Sequence, residues 1–457
     1  MDRRLPFLIF VCAALAAAPC RAQPRFQLSA DTVLVDESVG IALTGLPPGR
    51  EVTVRLSGEG PARGWRASAA FRADEGRVDL ARAAPVSGDY AGVHAMGLFW
   101  SARRDSAAAP LLGALRTPDA RHPPAQPWAL AAEMDGRVVA ADTVWRRAVA
   151  PDVRVEPVRE RGLVGTAYYP PGEGRRPAVV VLNGSQGGIA PPGAAPGGLA
   201  SRGYVVLALG YFAAEGLPER LAEIPLEYFG TALRWLAGQP SVDPERIGVL
   251  GASRGGELAL LLGATYPEVR AVVAYAPSHV VWPGTITDAW TSPAWTLGGR
   301  ALPGMHRRAS PAAVARHAGC RDARDCAPLA VHQFLALLDD ADAAARAEIP
   351  VERIDGPVLL VSGRDDLLWP SALMAERVVA RLRRRGFRHP VEHLSYPGAG
   401  HSIGRPYLAT SEVGRSRPHP ITGRMITPGG TPEGTALASE DSWRRVLEFL
   451  DANLRRR

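Results

Sequence analysis

The chain has 457 residues, 46% of them apolar, and carries 53 basic against 46 acidic side chains for a formal net charge of +7 at pH 7. That length exceeds what one compact core commonly holds, so two domains are expected, and the apolar share is that of an ordinary globular protein. Every basic residue is arginine, so a Schiff-base lysine, a Walker-type phosphate loop and a Ser–Lys dyad are all excluded, and a serine nucleophile in this chain needs a histidine base.

At the N-terminus, Arg3 and Arg4 precede an apolar run from Leu5 to Ala18, and small residues follow. This is the layout of a secretory signal peptide over residues 1–22, cleaved between Ala22 and Gln23. The run is short for a membrane span, and Pro19 argues against a lipid anchor on Cys20. An exported protein, periplasmic or secreted, with no stable membrane insertion after cleavage is therefore expected. Removal of the peptide leaves two cysteines, Cys320 and Cys326, in "GCRDARDCAP". In an oxidising compartment a local disulfide between them is the simplest reading, since a metal site would need more ligands than His317 nearby. No cofactor is implied.

Residues 23–150 have an all-β texture. "TVLVDESVGIALTGL" and "EVTVRLSG" alternate apolar and polar residues around a Pro-Pro-Gly-Arg turn, and "RVDLARA" and "RVVAADTVWRRAVA" suggest further strands. Short strands between Gly/Pro turns predict an immunoglobulin-like β-sandwich that packs or shapes an active site without carrying its chemistry.

Over 151–457 the texture changes to alternating strands and helices. The runs "AVVVLN" and "YVVLALGYF" are continuously apolar, as expected of parallel strands buried on both faces. A helix at "LEYFGTALRWLAGQ", strands at "IGVLGAS", "VRAVVAYAP", "GPVLLVSG" and "PVEHLSYPG", and a final helix at "SEDSWRRVLEFLDANL" complete a doubly wound α/β domain of the α/β-hydrolase kind. About residues 278–352 interrupt the alternation with Trp282, Trp290, Trp295 and both cysteines, either as a lid or pocket wall or as irregular packing. Arginine runs such as "RLRRRGFR" and the terminal "RRR" read as solvated helix faces or ends, and no nucleic-acid-binding motif accompanies them.

The stretch "GASRGGELAL" at 251–260 places Ser253 between a buried strand and an apolar helix. A sharp strand-to-helix turn needs small flanking residues, which Gly251 and Gly255 supply, and it pushes the serine hydroxyl out above the sheet edge. An acid and then a histidine should follow in chain order, each just beyond a strand. "PVLLVSGRDDLLWPS" offers Asp365 and Asp366, and "HLSYPGAGHSIG" offers His401 in a glycine-rich loop. Asp366 is the expected partner of the imidazole and Asp365 a loop cap. His279, His317, His332, His389 and His393 lack the combination of a post-strand loop and the right order. Oxyanion donors are expected from the amide of Arg254 and from the loop "NGSQGG", where Ser185 is nominated with Gln186 in reserve.

The chain then resembles the acyl-CoA thioesterase and bile acid-CoA:amino acid N-acyltransferase family. The resemblance rests on "SGDYAGVHAMGLFWS", "IPLEYFGTALRWL", "GASRGGELAL", "GRDDLLWPS", "YPGAGHSI" and "PGGTPEGTALASEDSWRRVLEFL", in order along nearly all of the mature chain. It implies attack of a triad, Ser253, Asp366 and His401, on an acyl thioester. The family's acyltransferase branch uses cysteine as nucleophile, whereas this chain has serine, which implies a hydrolase acting on a small-molecule thioester or ester. The chain departs from the pattern at Asn183, where the family carries an aromatic. Export separates it from intracellular coenzyme A, so an exported esterase or lipase-like hydrolase on the same scaffold stands as the alternative. A binding protein with a vestigial triad is a third reading, opposed by the intact Ser, Asp and His.

Overall fold

The computed structural model describes residues 23–105, 123–285, 292–305, 308–321 and 329–455. The expected signal peptide, Trp290 and Cys326 lie outside these residues, and so therefore does the expected Cys320–Cys326 pairing.

Strand alternation builds the N-terminal sandwich. In Glu51–Gly58 every second residue is buried, which turns Val52, Val54 and Leu56 to one face. The strand Gln126–Met134 pairs antiparallel with it and contributes Trp128, Leu130 and Ala132 to the same core. These strands belong to a 7-stranded sheet that faces a 3-stranded one made from Arg25–Leu28, Ile41–Thr44 and Val78–Asp79. The region is not wholly β. Gly97–Ser101 forms a one-turn helix in which all five residues are buried, with Phe99 edge-on to Trp128 at 5.7 Å between ring centroids. An apolar run buried on every side cannot alternate as a half-exposed strand does, and the tight turn seats Leu98, Phe99 and Trp100 at once.

The sheet of the C-terminal region has 8 strands. Numbered within it, they are β1 (Arg154–Val158), β2 (Val164–Tyr169), β3 (Arg176–Leu182), β4 (Val205–Gly210), β5 (Val242–Ala252), β6 (Val269–Tyr275), β7 (Val358–Gly363) and β8 (Val391–Tyr396), in the spatial order β1-β2-β4-β3-β5-β6-β7-β8. The β1–β2 and β2–β4 pairs are antiparallel and all the others parallel. This is the α/β-hydrolase order. The antiparallel opening pair is a feature that the reading of continuous apolar runs did not find, because an edge hairpin lacks such a run. Along β3, Ala178, Val180 and Leu182 enter the core on one face of the sheet, and Val179 and Val181 enter the core on the other. Helices therefore cover both faces, and the chain must run its functional loops off the sheet's ends. The stretch from 278 to 352 is more regular than expected, with helices at Pro311–His317, Ala330–Leu338 and Ala341–Ala347. Its alanine-rich turns favour helix, while its short segments obscure the period.

The two regions are bolted together just downstream of His401. Thr410 N–H donates to the Trp100 carbonyl (2.8 Å), Ser411 Oγ–H to that of Ala102 (2.7 Å), and Arg146 Nη1 to that of Tyr407 (2.7 Å). Asp36 of the sandwich accepts from Arg202 at 2.7 Å and from the Trp443 indole at 2.8 Å.

Candidate active site

β5 ends where the helix α1 (Arg254–Thr265) begins, and Ser253 forms the turn between them with φ 59° and ψ −120°. A non-glycine residue held there costs of order 1–3 kcal/mol, so its surroundings must enforce it. They do so with Ser253 N–H donating to Tyr275 O (2.8 Å) and Glu257 N–H donating to Ser253 O (3.0 Å). The flanking glycines are sterically required. A Cβ on Gly251 would lie 2.0 Å from the Gly255 carbonyl oxygen, and one on Gly255 would lie 2.4 Å from that of Asn183.

Ser253 Oγ lies 3.0 Å from His401 Nε2, and His401 Nδ1 lies 2.8 Å from Asp366 Oδ2. Asp366 is the carboxylate that faces the ring, with its side chain 1% exposed. Its Oδ1 accepts from the amides of Leu368 (2.9 Å) and Trp369 (3.1 Å), and its Oδ2 also accepts from Ser371 Oγ (2.7 Å). Four partners thus satisfy its two oxygens. Asp365 turns the other way and accepts from the Gly398 amide at 2.6 Å, tying the acid loop to the histidine loop. Both loops are further held by one carbonyl, that of Pro428, which accepts from His401 N–H (2.9 Å) and Leu367 N–H (3.3 Å). The Trp369 ring stands edge-on to His401, 5.7 Å away.

The five histidines that the sequence sets aside are engaged elsewhere. His393 meets Ser362 at 2.7 Å, His389 meets Asp355 at 3.2 Å and His317 meets Asp339 at 2.9 Å. His332 Nδ1 accepts from Leu329 N–H, and burial together with Arg377 pulls His279 down to about 3.

The Arg254 amide opens α1, where an N–H has no partner within the helix. The Arg254 side chain runs the opposite way, into the protein. Its Nη1 lies 3.1 Å from Glu257 Oε2, and its Nη2 donates to the Trp282 carbonyl at 3.0 Å. Glu257, 0% exposed, accepts from the Trp295 indole at 2.7 Å. Burial pushes Glu257 up to about 7 and pulls Arg254 below its ordinary value, so desolvation outweighs their mutual attraction. This pair fastens Trp282 and Trp295 of the insertion to the helix that follows Ser253. Sequence reading missed it, although a Glu one turn after an Arg on an otherwise apolar helix was the available signal.

In the loop after β3, Asn183 Nδ2 donates to the carbonyls of Gly187 (3.0 Å) and Gly188 (3.3 Å) and so closes the turn. Gly184 rests on Ser253: a Cβ there would lie 3.1 Å from Ser253 Cβ. Ser185 is half-buried and Gln186 exposed. Ser185 Oγ lies 2.8 Å from Nε2 of His419, a residue that sequence reading did not single out. Among the described residues no cluster of three or more His, Cys, Asp or Glu is arranged to hold a metal ion, and no helix is long and apolar enough to cross a membrane.

The model of the BAAT / acyl-CoA thioester hydrolase C-terminal domain matches residues 224–456, and that of the acyl-CoA thioester hydrolase/BAAT N-terminal region matches residues 36–160. The chain belongs to this family. It is 33% identical to acyl-coenzyme A amino acid N-acyltransferase 1 of Mus musculus over 92% of this chain and 95% of that protein. It is 32% identical to acyl-coenzyme A thioesterase 1 of Homo sapiens over 92% of this chain and 94% of that protein. Its identity to the human mitochondrial acyl-coenzyme A thioesterase 2 is also 32%, over 92% of this chain and 82% of that protein. The family thus spans thioester hydrolysis and acyl transfer to amino acids, and the site has to decide between them.

Proposed function

We propose that the chain is an acyl thioester hydrolase working through a covalent acyl-enzyme on Ser253. The observation that carries this reading is the position of His401, whose ring bridges Ser253 Oγ at 3.0 Å and Asp366 Oδ2 at 2.8 Å. Ser253 Oγ attacks the acyl carbonyl carbon while its proton passes to His401 Nε2, and Asp366 stabilises the resulting imidazolium. The carbonyl oxygen, now negative, takes the Arg254 N–H. As the carbon–sulfur bond breaks, His401 returns the proton to the departing thiolate. Water, deprotonated by the same ring, then releases the acid and restores the serine. The acyl-enzyme is an oxygen ester, less open to amines than the thioester a cysteine would form, so water is the acceptor and hydrolysis is favoured over transfer. The sandwich of residues 23–150 supports the site by holding the segment after His401, and the catalytic part is 151–457.

A fluorophosphonate probe is expected to label wild-type protein and to leave Ser253→Ala unlabelled. Labelling that survives the substitution would place the nucleophile elsewhere.

The leaving group is tied to the compartment. The Arg-flanked apolar stretch of residues 1–22 favours export, and with it a disulfide between Cys320 and Cys326 and an ester or other non-CoA acyl substrate as the second reading. Intact-mass measurement of protein from its native cells, with a hydrolysis screen of acyl-CoA thioesters against simple acyl esters, separates the two. An unprocessed N-terminus with free thiols and a preference for acyl-CoA would discard export.

A further inference from the structure

The loop carrying Ser185 has a second feature that the triad does not use. His419 lies 234 residues downstream in sequence, in the turn between two short strands, Arg417–Pro418 and Met425–Ile426. Its backbone is fixed there, with His419 N–H donating to Arg424 O (2.7 Å) and Gly423 N–H to His419 O (2.8 Å). The ring is buried, and its Nδ1 accepts from the amides of Ile421 (3.2 Å) and Thr422 (3.3 Å). A nitrogen that accepts from two N–H groups carries a lone pair, so the ring's proton sits on Nε2. Burial and the Arg417 guanidinium both hold the ring below its ordinary value, in the neutral form this tautomer requires. The Nε2–H therefore donates to Ser185 Oγ at 2.8 Å. A hydroxyl that accepts in this way has its own proton left to give, and its rotation is confined by the bond it already makes.

Where that proton is given follows from the neighbour. Gly184 packs on the nucleophile turn, so close that a Cβ there would lie 2.9 Å from the Ala252 carbonyl oxygen and 3.1 Å from Ser253 Cβ. Ser185 is the next residue in the chain, one position from the backbone that packs on Ser253. The geometry points to a side-chain donor in the oxyanion hole: the Ser185 hydroxyl, held by His419, donates to the substrate's carbonyl oxygen as it becomes negative, together with the Arg254 N–H. No proton is transferred, and the interaction strengthens as charge develops, so it acts on the transition state more than on bound substrate. Ser185 is a catalytic residue in this scheme, and His419 a positioning residue. The inference rests on the acyl-enzyme reading of Ser253.

The test is steady-state kinetics on a thioester and on a 4-nitrophenyl ester, with fluorophosphonate labelling of Ser253 measured on the same preparations. Ser185→Ala is expected to lower kcat about 100-fold with KM within about threefold, as loss of one oxyanion donor does. His419→Phe should reproduce that fall, and the double variant should be no worse than about threefold below either, because the two act as one unit. His419→Gln, whose amide N–H reaches towards the place of Nε2–H, should recover about tenfold of the loss. A Ser185→Ala enzyme within about threefold of wild type overturns the donor, and this variant decides the matter alone if His419→Phe does not fold. Losses that multiply in the double variant, or a folded His419→Gln with no recovery, overturn the role of His419. Wild-type protein that is active but unlabelled at Ser253 defeats the acyl-enzyme reading itself, whereas a labelled wild type with an undiminished Ser185→Ala defeats only the hydroxyl donor.

Discussion

Two buried carboxyl groups lie near the Ser253 turn and are built in opposite ways. Asp366, on the loop after β7, is surrounded by donors: two amides, one hydroxyl and the His401 ring. Glu257, one turn into α1, faces the Arg254 guanidinium and the indole of Trp295. In the proposed mechanism the first arrangement faces a cation that exists only during turnover, when His401 takes the serine proton. The second already faces a permanent cation and can gain nothing from chemistry, so its role is to join the insertion to α1. Burial alone does not mark a catalytic acid; what matters is whether its counter-charge is already present.

The sharpest way to break this contrast is to remove each charge in turn. Asp366→Asn keeps the shape of the loop but misdirects the imidazole tautomer, and kcat is expected to fall about 10⁴-fold with stability little changed. Combining it with His401→Ala should add little, because a triad fails as a unit. A kcat within tenfold of wild type would place the catalytic acid elsewhere. Glu257→Ala should do the reverse. It strands a buried guanidinium, costing about 3–5 kcal/mol in urea unfolding, while the folded fraction keeps most of its activity. Replacing both Arg254 and Glu257 by apolar residues of similar size should cost less than the single change, which would identify the pair as an anchor and not a net source of stability.

A smaller, signed effect concerns pH. The Glu257 carboxyl is raised by burial from 4.5 to about 7, so between those values the folded protein holds a proton that the unfolded chain has released. Stability from this group is greatest below the unfolded value and declines as pH rises through about 7. Urea midpoints measured across that range should fall more steeply with pH in wild type than in Glu257→Gln. Equal slopes would remove Glu257 from the account. The smallest effect is expected at the neighbouring aspartate. Asp365→Ala loses one hydrogen bond, to the Gly398 amide, and should cost about 1 kcal/mol with kcat within tenfold of wild type. A loss approaching that of Asp366→Asn would mean that the tie between the two loops, and not the facing carboxylate, carries the difference.

Much of the site was readable along the chain because its signals are local. A strand, a turn with glycines on both sides and an apolar helix lie within 242–265, the acid loop follows a run of apolar strand residues, and the histidine loop follows a strand of mixed polarity. The period of the hydrophobic pattern identifies such elements without reference to the rest of the molecule. The antiparallel opening pair, the buried helix at 97–101 and the helices of the insertion were less legible, since short segments give the period too few residues to establish itself. Contacts between distant segments lay beyond sequence altogether. Nothing near "NGSQGG" announces that His419 will hold Ser185, and nothing near Pro428 announces that one carbonyl will serve both the acid and the histidine loops. The same holds for the bond from Thr410 to Trp100, which anchors the histidine segment to the sandwich. Periodicity and turn chemistry are properties of neighbours in the chain, and they dictated which elements form and in what order the triad candidates occur. Which donor meets which acceptor across hundreds of residues depends on how those elements pack, and that is settled when the sandwich and the 8-stranded sheet close around their own cores and their loops meet.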